Sequence, residues 1–297
     1  MFASAPFTAG EDSRANPYLG AIVRLPLDAT ERPVPVGAVS PSYALVQHRG
    51  LGELCIESLQ ALDLYYERLR CDLEISELGE WAHLRFRLGD TYTLVPPDGH
   101  ALDLCIDVYN SVDGSSRLIL EVSWLRLICT NGLVVRNSEL GLKAAHDRRL
   151  DLDMIGHAIH RGLRAADEDL KTLRLWWESQ LRLDELMRWA DGPLALRWGR
   201  VAAARCLHIC RTGHDARPVP FEGGEPSKRA MIAGELVPGA AFPADTVYDL
   251  AQALSWIAST QPDVTERRAW QSDIPELLDK LDGWPRGVPV MSDESGS

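Results

Sequence analysis

The stretch LDLCIDVYNSVDGSSRLILEVSWLRLICTNGLVV, residues 102–135, decides the predicted fold. Apolar and polar residues alternate over 102–109, which is the period of a half-buried strand. Asp113-Gly114 then predicts a tight turn, because glycine adopts positive φ without a Cβ clash. The run 118–128 is rich in residues that favour strands, so the stretch predicts a β-hairpin. Asn131-Gly132 predicts a second turn after the hairpin, since both residues tolerate left-handed backbone.

The segments upstream of this hairpin predict further strands and one helix. Residues 42–48 alternate as a short strand does, and 50–69 carry an apolar stripe at helical spacing. Residues 73–88 predict two strands joined at Gly79-Glu80, which is a second hairpin. The first half of the chain is therefore predicted to hold an antiparallel meander.

The segments downstream change to a helical period. Apolar residues recur every three to four positions in 150–163, 168–189, 194–210 and 245–259. Residues 211–243 contain several Pro and Gly breakers and predict a long loop. We therefore expect an α+β fold, in which an antiparallel hairpin and meander sheet with packed helices precedes a mainly helical C-terminal half.

These patterns divide the chain into four predicted parts. An extended arm, ordered only in part, covers residues 1–40, because Pro, Ala, Gly and Thr dominate there. The α+β sheet core covers 41–135, and a helical portion packed on that core covers 136–284. The tail 285–297, which ends in MSDESGS, is predicted to be disordered.

Bulk composition limits the class of protein. The chain has 297 residues, of which 45% are hydrophobic and 25% charged, as in an ordinary globular protein. No apolar run approaches the roughly 20 residues that span a bilayer, and the N-terminus lacks the pattern of a signal peptide. The six cysteines are scattered, which favours reduced thiols over a disulfide framework. We expect a cytoplasmic protein without a membrane partner.

Basic residues concentrate in the middle of the chain although the net charge is −12. Residues 136–211 hold 14 basic and 11 acidic side chains, a local charge of +3. Exposed cations neutralise phosphates, and exposed aromatic side chains such as Trp81, Trp176 and Trp177 would stack on bases. The cations predicted to bind single-stranded nucleic acid are Arg85, Arg87, Arg126, Arg148, Arg149, Arg161, Arg164 and Lys171. The alternative is a salt-bridged helix face exposed to solvent and tryptophans that belong to the core.

The sequence offers one weak candidate for a metal site and none for a cofactor. Cys206, Cys210 and His214 recur at intervals of four, so one helical face would present three zinc ligands. The breakers before His214 and the lack of a Cys-x-x-Cys pair favour core thiols instead. No Gly-rich phosphate loop and no Gly-x-Ser-x-Gly elbow is present, so we expect no cofactor and no hydrolytic enzyme.

The central stretch resembles the core motif of the phage/plasmid-like domain-of-unknown-function 932 family, also called uncharacterised protein family 380. The resemblance rests on a turn and on the segment after it: Asn110, Ser111, Asp113, Gly114 and Ser115, then Arg126, Cys129, Thr130, Asn131 and Gly132. The family usually has Arg-His-Thr after this segment, whereas this chain has Ala145-His146-Asp147, which is a departure. The resemblance implies a gene of mobile elements or defence loci. A looser likeness in element order links the chain to single-strand annealing proteins.

Three functions are consistent with the sequence. The leading expectation is a non-enzymatic, oligomeric protein of a mobile element or defence system that binds single-stranded nucleic acid. The alternative is a protein–protein interaction subunit of such a system without nucleic-acid binding, which the net charge of −12 favours. A metal-dependent enzyme is the third.

Overall fold

The structure of the chain, a computed structural model, describes residues 1–8, 14–62, 69–89, 92–127, 131–133, 141–220 and 229–281. The chain divides into two units, Met1–Leu127 with Ser138–Leu170, and Ile128–Asn137 with Lys171–Ser297. The large antiparallel sheets lie in the N-terminal half and most of the helices in the C-terminal half. The predicted α+β fold is therefore confirmed.

A small three-stranded sheet forms the start of the first unit. Its antiparallel strands are β1 (Phe2–Thr8), β2 (Ala15–Arg24) and β3 (Val34–Val39), in the order β1-β2-β3. The side chains buried in its core are Phe2, Ile22, Val39 and Val112. Residues 1–40, predicted as an extended arm ordered only in part, form the three strands of this sheet in their described part. The docking of this sheet on the hairpin residue Val112 stabilises it, and the local sequence pattern carries no sign of that contact.

The central sheet of the first unit is antiparallel. Its strands are β4 (Arg70–Ile75), β5 (Trp81–Arg87), β6 (Thr93–Leu94), β7 (Leu102–Ser111), β8 (Leu118–Arg126) and β10 (Leu142–Ala144). The order across the sheet is β10-β8-β7-β5-β4, and β6 pairs with β7. Both predicted hairpins, β4–β5 and β7–β8, are confirmed.

The β7–β8 hairpin differs from its prediction in burial. Gly114 has a φ of 82°, as the predicted turn requires. All ten residues of β7 are buried, however, including Asp103 and Asp107. The prediction of a half-buried strand is therefore wrong: β7 lies between two strands, and both of its faces are covered.

Two helices pack on the apolar face of the central sheet. Helix α1 (His48–Gln60) begins near its predicted start, and a Cβ at Gly52 would lie 3.1 Å from Leu84 of β5. Helix α2 (Met154–Glu178) is one continuous helix where the sequence predicted two. A Cβ at Gly162 would lie 2.2 Å from Val122 of β8, so glycine allows the close approach of this helix to the sheet.

The second unit holds the remaining elements. In chain order they are β9 (Asn131–Leu133), α3 (Leu183–Trp189), a π-helical turn (Ala190–Leu194), α4 (Ala195–Trp198), α5 (Arg200–Thr212), β11 (His214–Pro220), β12 (Arg229–Leu236), α6 (Val247–Ser259) and α7 (Val264–Leu278). The turn predicted at Asn131-Gly132 is wrong, because both residues lie in strand β9. The long loop predicted over 211–243 is also wrong, because β11 and β12 form an antiparallel hairpin within it.

No helix among the described residues is both long enough and apolar enough to cross a membrane. The predicted disordered tail, residues 285–297, lies outside the described residues.

Candidate functional site

Two of the predicted binding arginines are largely buried and ion-paired. Arg85 on β5 donates from Nε to Asp107 Oδ1 at 2.6 Å. Arg126 at the end of β8 is only 2% exposed, and its Nη2 lies 2.5 Å from Asp98 Oδ2. A guanidinium in such a position already has its counter-charge within the protein.

Two more of these arginines pair with acids nearer the surface. Arg87 donates from Nε and Nη2 to the two carboxylate oxygens of Asp72 at 2.7 and 2.8 Å. The Arg149 side chain is 91% exposed, and its Nη2 lies 3.0 Å from Asp147. The surface pair of Arg149 is of the kind that contributes little stability.

Of the remaining predicted cations, Arg148 lies just before α2, and the others, Arg161, Arg164 and Lys171, lie on this helix. Arg148, Arg161 and Arg164 are exposed, and none of the three forms an ion pair with any residue of the described chain. Arg161 and Arg164 are three positions apart on α2, so their side chains are neighbours on the helix surface. Lys171 is exposed further along the same helix.

Acidic residues accompany these free arginines. Asp167 and Glu168 are exposed on α2, and Asp151 and Asp153 are exposed just before it. The exposed face is therefore mixed in charge, which limits the strength of any electrostatic attraction for a polyanion.

A buried polar network lies on the charged face of the central sheet. Asp107 Oδ1 accepts hydrogen bonds from His83 Nε2 at 2.7 Å and Arg85 Nε at 2.6 Å, and its Oδ2 accepts one from Ser123 Oγ at 2.6 Å. Burial by itself raises the pKa of this carboxyl, but the charge of Arg85 and the bonds from His83 and Ser123 outweigh burial and hold the pKa well below its usual range. Asp107 is thus an anion at neutral pH, and its hydrogen bonds tie three strands together.

Aromatic rings extend this network along the same face. The ring of His83 stacks on Tyr109, with 4.3 Å between centroids, and Trp81 lies at 6.4 Å from each of them. The other tryptophans proposed to stack on bases lie in the second unit, where Trp176 is 2% exposed and Trp177 packs edge-on against Tyr248. The core position weighed as the alternative thus describes Trp176.

The motif residues around Asp113 hold the hairpin turn to its surroundings. The Asn110 amide donates to Val46 O at 3.0 Å and contacts His48 Nδ1 at 2.9 Å. Asp113 Oδ1 accepts from the backbone N and the hydroxyl of Ser115 at 3.0 and 2.7 Å. A Cβ at Gly37 would lie 2.6 Å from Asp113 Cα, so β3 lies directly against the turn. These contacts give the turn motif a structural role.

The three candidate zinc ligands do not form a site. Cys206 and Cys210 are buried in α5, where the hydrogen bond between the two thiols and burial raise the pKa of Cys206. His214 is exposed at the start of β11, and its ring contacts Gly234 O at 3.3 Å. Within the described ranges, no three His, Cys, Asp or Glu side chains are arranged to hold a metal ion.

A second buried ion pair stabilises the second unit. Arg205 of α5 donates from Nε and Nη2 to both carboxylate oxygens of Asp215, at 2.9 and 2.7 Å. Trp256 Nε1 of α6 donates to the same carboxylate at 3.1 Å. Burial raises the pKa of Asp215, and the bonds from Arg205 and Trp256 more than offset it, so the pKa is lowered. The network joins α5, β11 and α6 and has no unsatisfied group that would call for a ligand.

An apolar groove lies beside strand β4 in the first unit. Its volume is about 480 Å³, and it runs between α1 and the sheet. Leu73 and Ile75 of β4 are 60% and 52% exposed within it. The apolar side chains that line the groove include Phe2, Ile56, Cys71, Leu73, Ile75 and Phe86. The sequence does not reveal this surface, because exposed and buried apolar residues follow the same alternation along a strand.

Comparisons with protein-family models, with curated proteins and with solved structures find no match to this chain. The resemblance of residues 110–132 to the phage/plasmid-like family therefore stays a prediction.

Proposed function

We propose that this chain is a non-enzymatic, self-associating protein of a mobile element or defence system that binds single-stranded nucleic acid through exposed arginines. The observation that carries the proposal is the free charge of Arg148, Arg161 and Arg164, which have no acidic partner among the described residues. The set of cations predicted to bind nucleic acid is therefore smaller than the sequence suggested. Arg85, Arg87 and Arg126 belong to it no longer, because they are paired with acids of the first unit.

The spacing of the free arginines suits a flexible polyanion. Cβ atoms three positions apart on a helix are separated by about 5–6 Å, so Arg161 and Arg164 present adjacent cations to one strand of nucleic acid. Arg148 is exposed shortly before α2 and would add to this contact. Neutralising phosphates releases counter-ions, so such binding weakens as salt is raised.

The context of a mobile element or defence system rests on the motif that runs from Asn110 to Gly132. A cytoplasmic location is supported by Cys55, Cys71, Cys105, Cys206 and Cys210, which are free thiols in the described residues.

Fluorescence anisotropy of a labelled single-stranded oligonucleotide tests the proposal. At low salt, we expect the wild-type chain to bind and the double variant Arg161→Ala with Arg164→Ala to bind more weakly. The matched control is the double variant Arg49→Ala with Arg182→Ala, which also removes two positive charges from the surface. In the wild type, Arg49 pairs with Glu53 and Arg182 pairs with Asp184. We expect the control to bind as the wild type does.

Absence of binding by the wild-type chain at low salt would overturn the nucleic-acid proposal. Equal losses in the double variant and in the control would also contradict it, because binding would then depend on total charge and not on the free arginines of α2.

A protein-interaction subunit without nucleic-acid binding is the second candidate. The groove of about 480 Å³ beside β4 favours it, as does the net charge of −12. Exposed apolar surface next to an unpaired strand edge is a common site for binding another protein. The same titration separates the two candidates, since this function predicts no anisotropy change at any salt concentration.

A further inference from the structure

The outer edge of strand β4 is available for pairing. In the described part of the chain β4 pairs only with β5, and all six of its residues are exposed. The backbone N of Ser76, just after β4, donates to Trp81 O across the β4–β5 hairpin at 3.0 Å. Because backbone groups alternate in direction along an antiparallel strand, those of Cys71, Leu73 and Ile75 point away from β5. Such an edge is a template for another strand.

We propose that β4 of one copy of this chain pairs antiparallel with β4 of a second copy, with Asp72 on the two-fold axis. The proposal specifies the self-association in the proposed function and rests on it. A two-fold interface uses the same surface patch on both copies, so the strand must be complementary to itself.

The apolar residues of β4 satisfy this condition. With Asp72 on the axis, Cys71 of each copy lies opposite Leu73 of the other, and Leu69 lies opposite Ile75. The outward backbone groups of Cys71 then exchange hydrogen bonds with those of Leu73. Leu73 and Ile75 are 60% and 52% exposed in the single chain, so the pairing covers apolar surface that water otherwise contacts.

The charged residues on the other face also match. In the same register, Arg70 of each copy lies opposite Glu74 of the other, which makes two cross-strand pairs of opposite charge. The two Asp72 side chains meet at the axis. Each is already held by Arg87 of its own chain at 2.7 and 2.8 Å, which offsets the like charges.

Of the two neighbouring registers, the one centred on Leu73 is less favourable in charge. With Leu73 on the axis, Asp72 would lie opposite Glu74, and Arg70 would have no acid across from it. Like charges directly opposite each other destabilise a strand pair. Charge complementarity therefore disfavours the register centred on Leu73. The register centred on Cys71 would place Arg70 opposite Asp72 and leave Glu74 outside the Arg70 pairs, so the Glu74→Arg variant distinguishes it from the register centred on Asp72.

Charge reversal in the full-length chain tests both the interface and its register. The mass of the particle is measured by sedimentation equilibrium over a range of concentrations, with Arg70→Glu, Glu74→Arg, and the double variant that carries both. Each single reversal turns two attractive pairs into two repulsive pairs, so we expect the dimer dissociation constant to rise roughly tenfold. The double variant restores opposite charges and should return to the wild-type value. Arg217→Glu, an exposed arginine on β11, is the matched control and should leave the mass unchanged.

A wild-type chain that stays monomeric would overturn the proposal and leave the edge to a strand of a different protein. A dimer that the single variants do not weaken, or that the double variant does not restore, would overturn it as well. The nucleic-acid titration of the Arg70→Glu variant separates this inference from the proposed function. A chain that still binds the oligonucleotide but never dimerises contradicts the interface alone, whereas a dimer that binds no oligonucleotide contradicts the nucleic-acid function alone.

Discussion

Strands β7 and β4 belong to one sheet and alternate charged with apolar residues in the same way, yet their burial is opposite. Every residue of β7 is buried, including Asp107, and every residue of β4 is exposed, including Leu73. The sequence pattern fixes which residues share a face, while the place of the strand in the sheet decides whether that face contacts water. An acid in the centre is therefore a structural ion, and an apolar residue at the edge is left in contact with water.

The arginines also fall into two groups, those that the fold pairs with an acid and those that it leaves exposed without one. Arg85 lies next to the central strand and is held by buried Asp107, whereas Arg161 is exposed on α2 without an acidic partner in the described chain. Charges that the fold has already paired contribute to stability, and charges without a partner remain for a ligand.

Removing the central anion should have the largest effect on stability. Asp107→Ala leaves Arg85 buried without a counter-charge, and breaking one side of a buried ion pair costs about 3–5 kcal/mol. Urea unfolding measures the loss. The control is Asp72→Ala, whose ion pair with Arg87 is more exposed, and it should cost no more than about 1 kcal/mol. Equal losses of unfolding free energy in the two variants would contradict the claim that the central ion pair stabilises the chain more than the edge pair does.

Truncating an apolar side chain should distinguish the same two strands. Leu104 of β7 is 0% exposed, so Leu104→Ala should lower the free energy of unfolding by about 2–5 kcal/mol. Leu73 of β4 is 60% exposed, so in the monomer Leu73→Ala should change it by no more than about 0.5 kcal/mol. Thermal unfolding at a concentration low enough to keep the chain monomeric provides the measurement, and a large loss for Leu73→Ala would show that β4 is covered in the monomer.

Acid should remove the contribution of Asp107 in a defined direction. The folded-state pKa of this carboxyl is depressed below the value of about 3.9 in the unfolded chain, so its stabilisation is complete above that pH and is lost as the pH falls towards the folded-state pKa. The wild type should therefore lose more stability between about pH 4 and pH 2 than Asp107→Asn, which has no such proton to bind. Parallel curves of unfolding free energy against pH for the two proteins would contradict the assignment.

The reactivity of two thiols compares the exposure of β4 with that of β7 without any substitution. Cys71 on β4 is exposed, and Cys105 on β7 is buried, where burial and the charge of Asp107 raise the thiol pKa. At a concentration low enough to keep the chain monomeric, iodoacetamide should modify Cys71 in the folded chain and Cys105 only after unfolding. Peptide mapping by mass spectrometry reads out both sites, and early modification of Cys105 would indicate that the central strand opens readily.

The sequence predicted local turns and periods better than it predicted tertiary position. The β7–β8 turn was predicted correctly because Asp113-Gly114 marks it in the sequence. Gly114 has the positive φ that such a turn requires. The β11–β12 hairpin was not, because Pro218 and Pro220 resemble loop residues. In a two-stranded sheet both strands are edges, where proline is tolerated. The small N-terminal sheet was missed because contacts such as Gly37 against Asp113 join residues far apart in the chain.

The candidate site was predicted only in part, because its ion pairs are tertiary contacts. Sequence identifies arginines but gives no sign of which acid faces each one, and that depends on strand register. The pairing of Arg85 with Asp107 follows from the β5–β7 register, in which the two residues are opposite each other across the sheet. The exposed arginines of α2 could be recognised without that register, because helical spacing alone places Arg161 and Arg164 together.

The most direct test of the central claim is the salt dependence of oligonucleotide binding. For single strands, the slope of log K against log salt is about −0.7 per neutralised phosphate, so removing Arg161 and Arg164 should make the slope shallower by roughly 1.4. The paired arginines Arg49 and Arg182 should leave it unchanged when they are replaced by Ala. That result would show that unpaired charge binds the phosphates, whereas equal slopes for both double variants, or no binding by the wild type, would contradict the account.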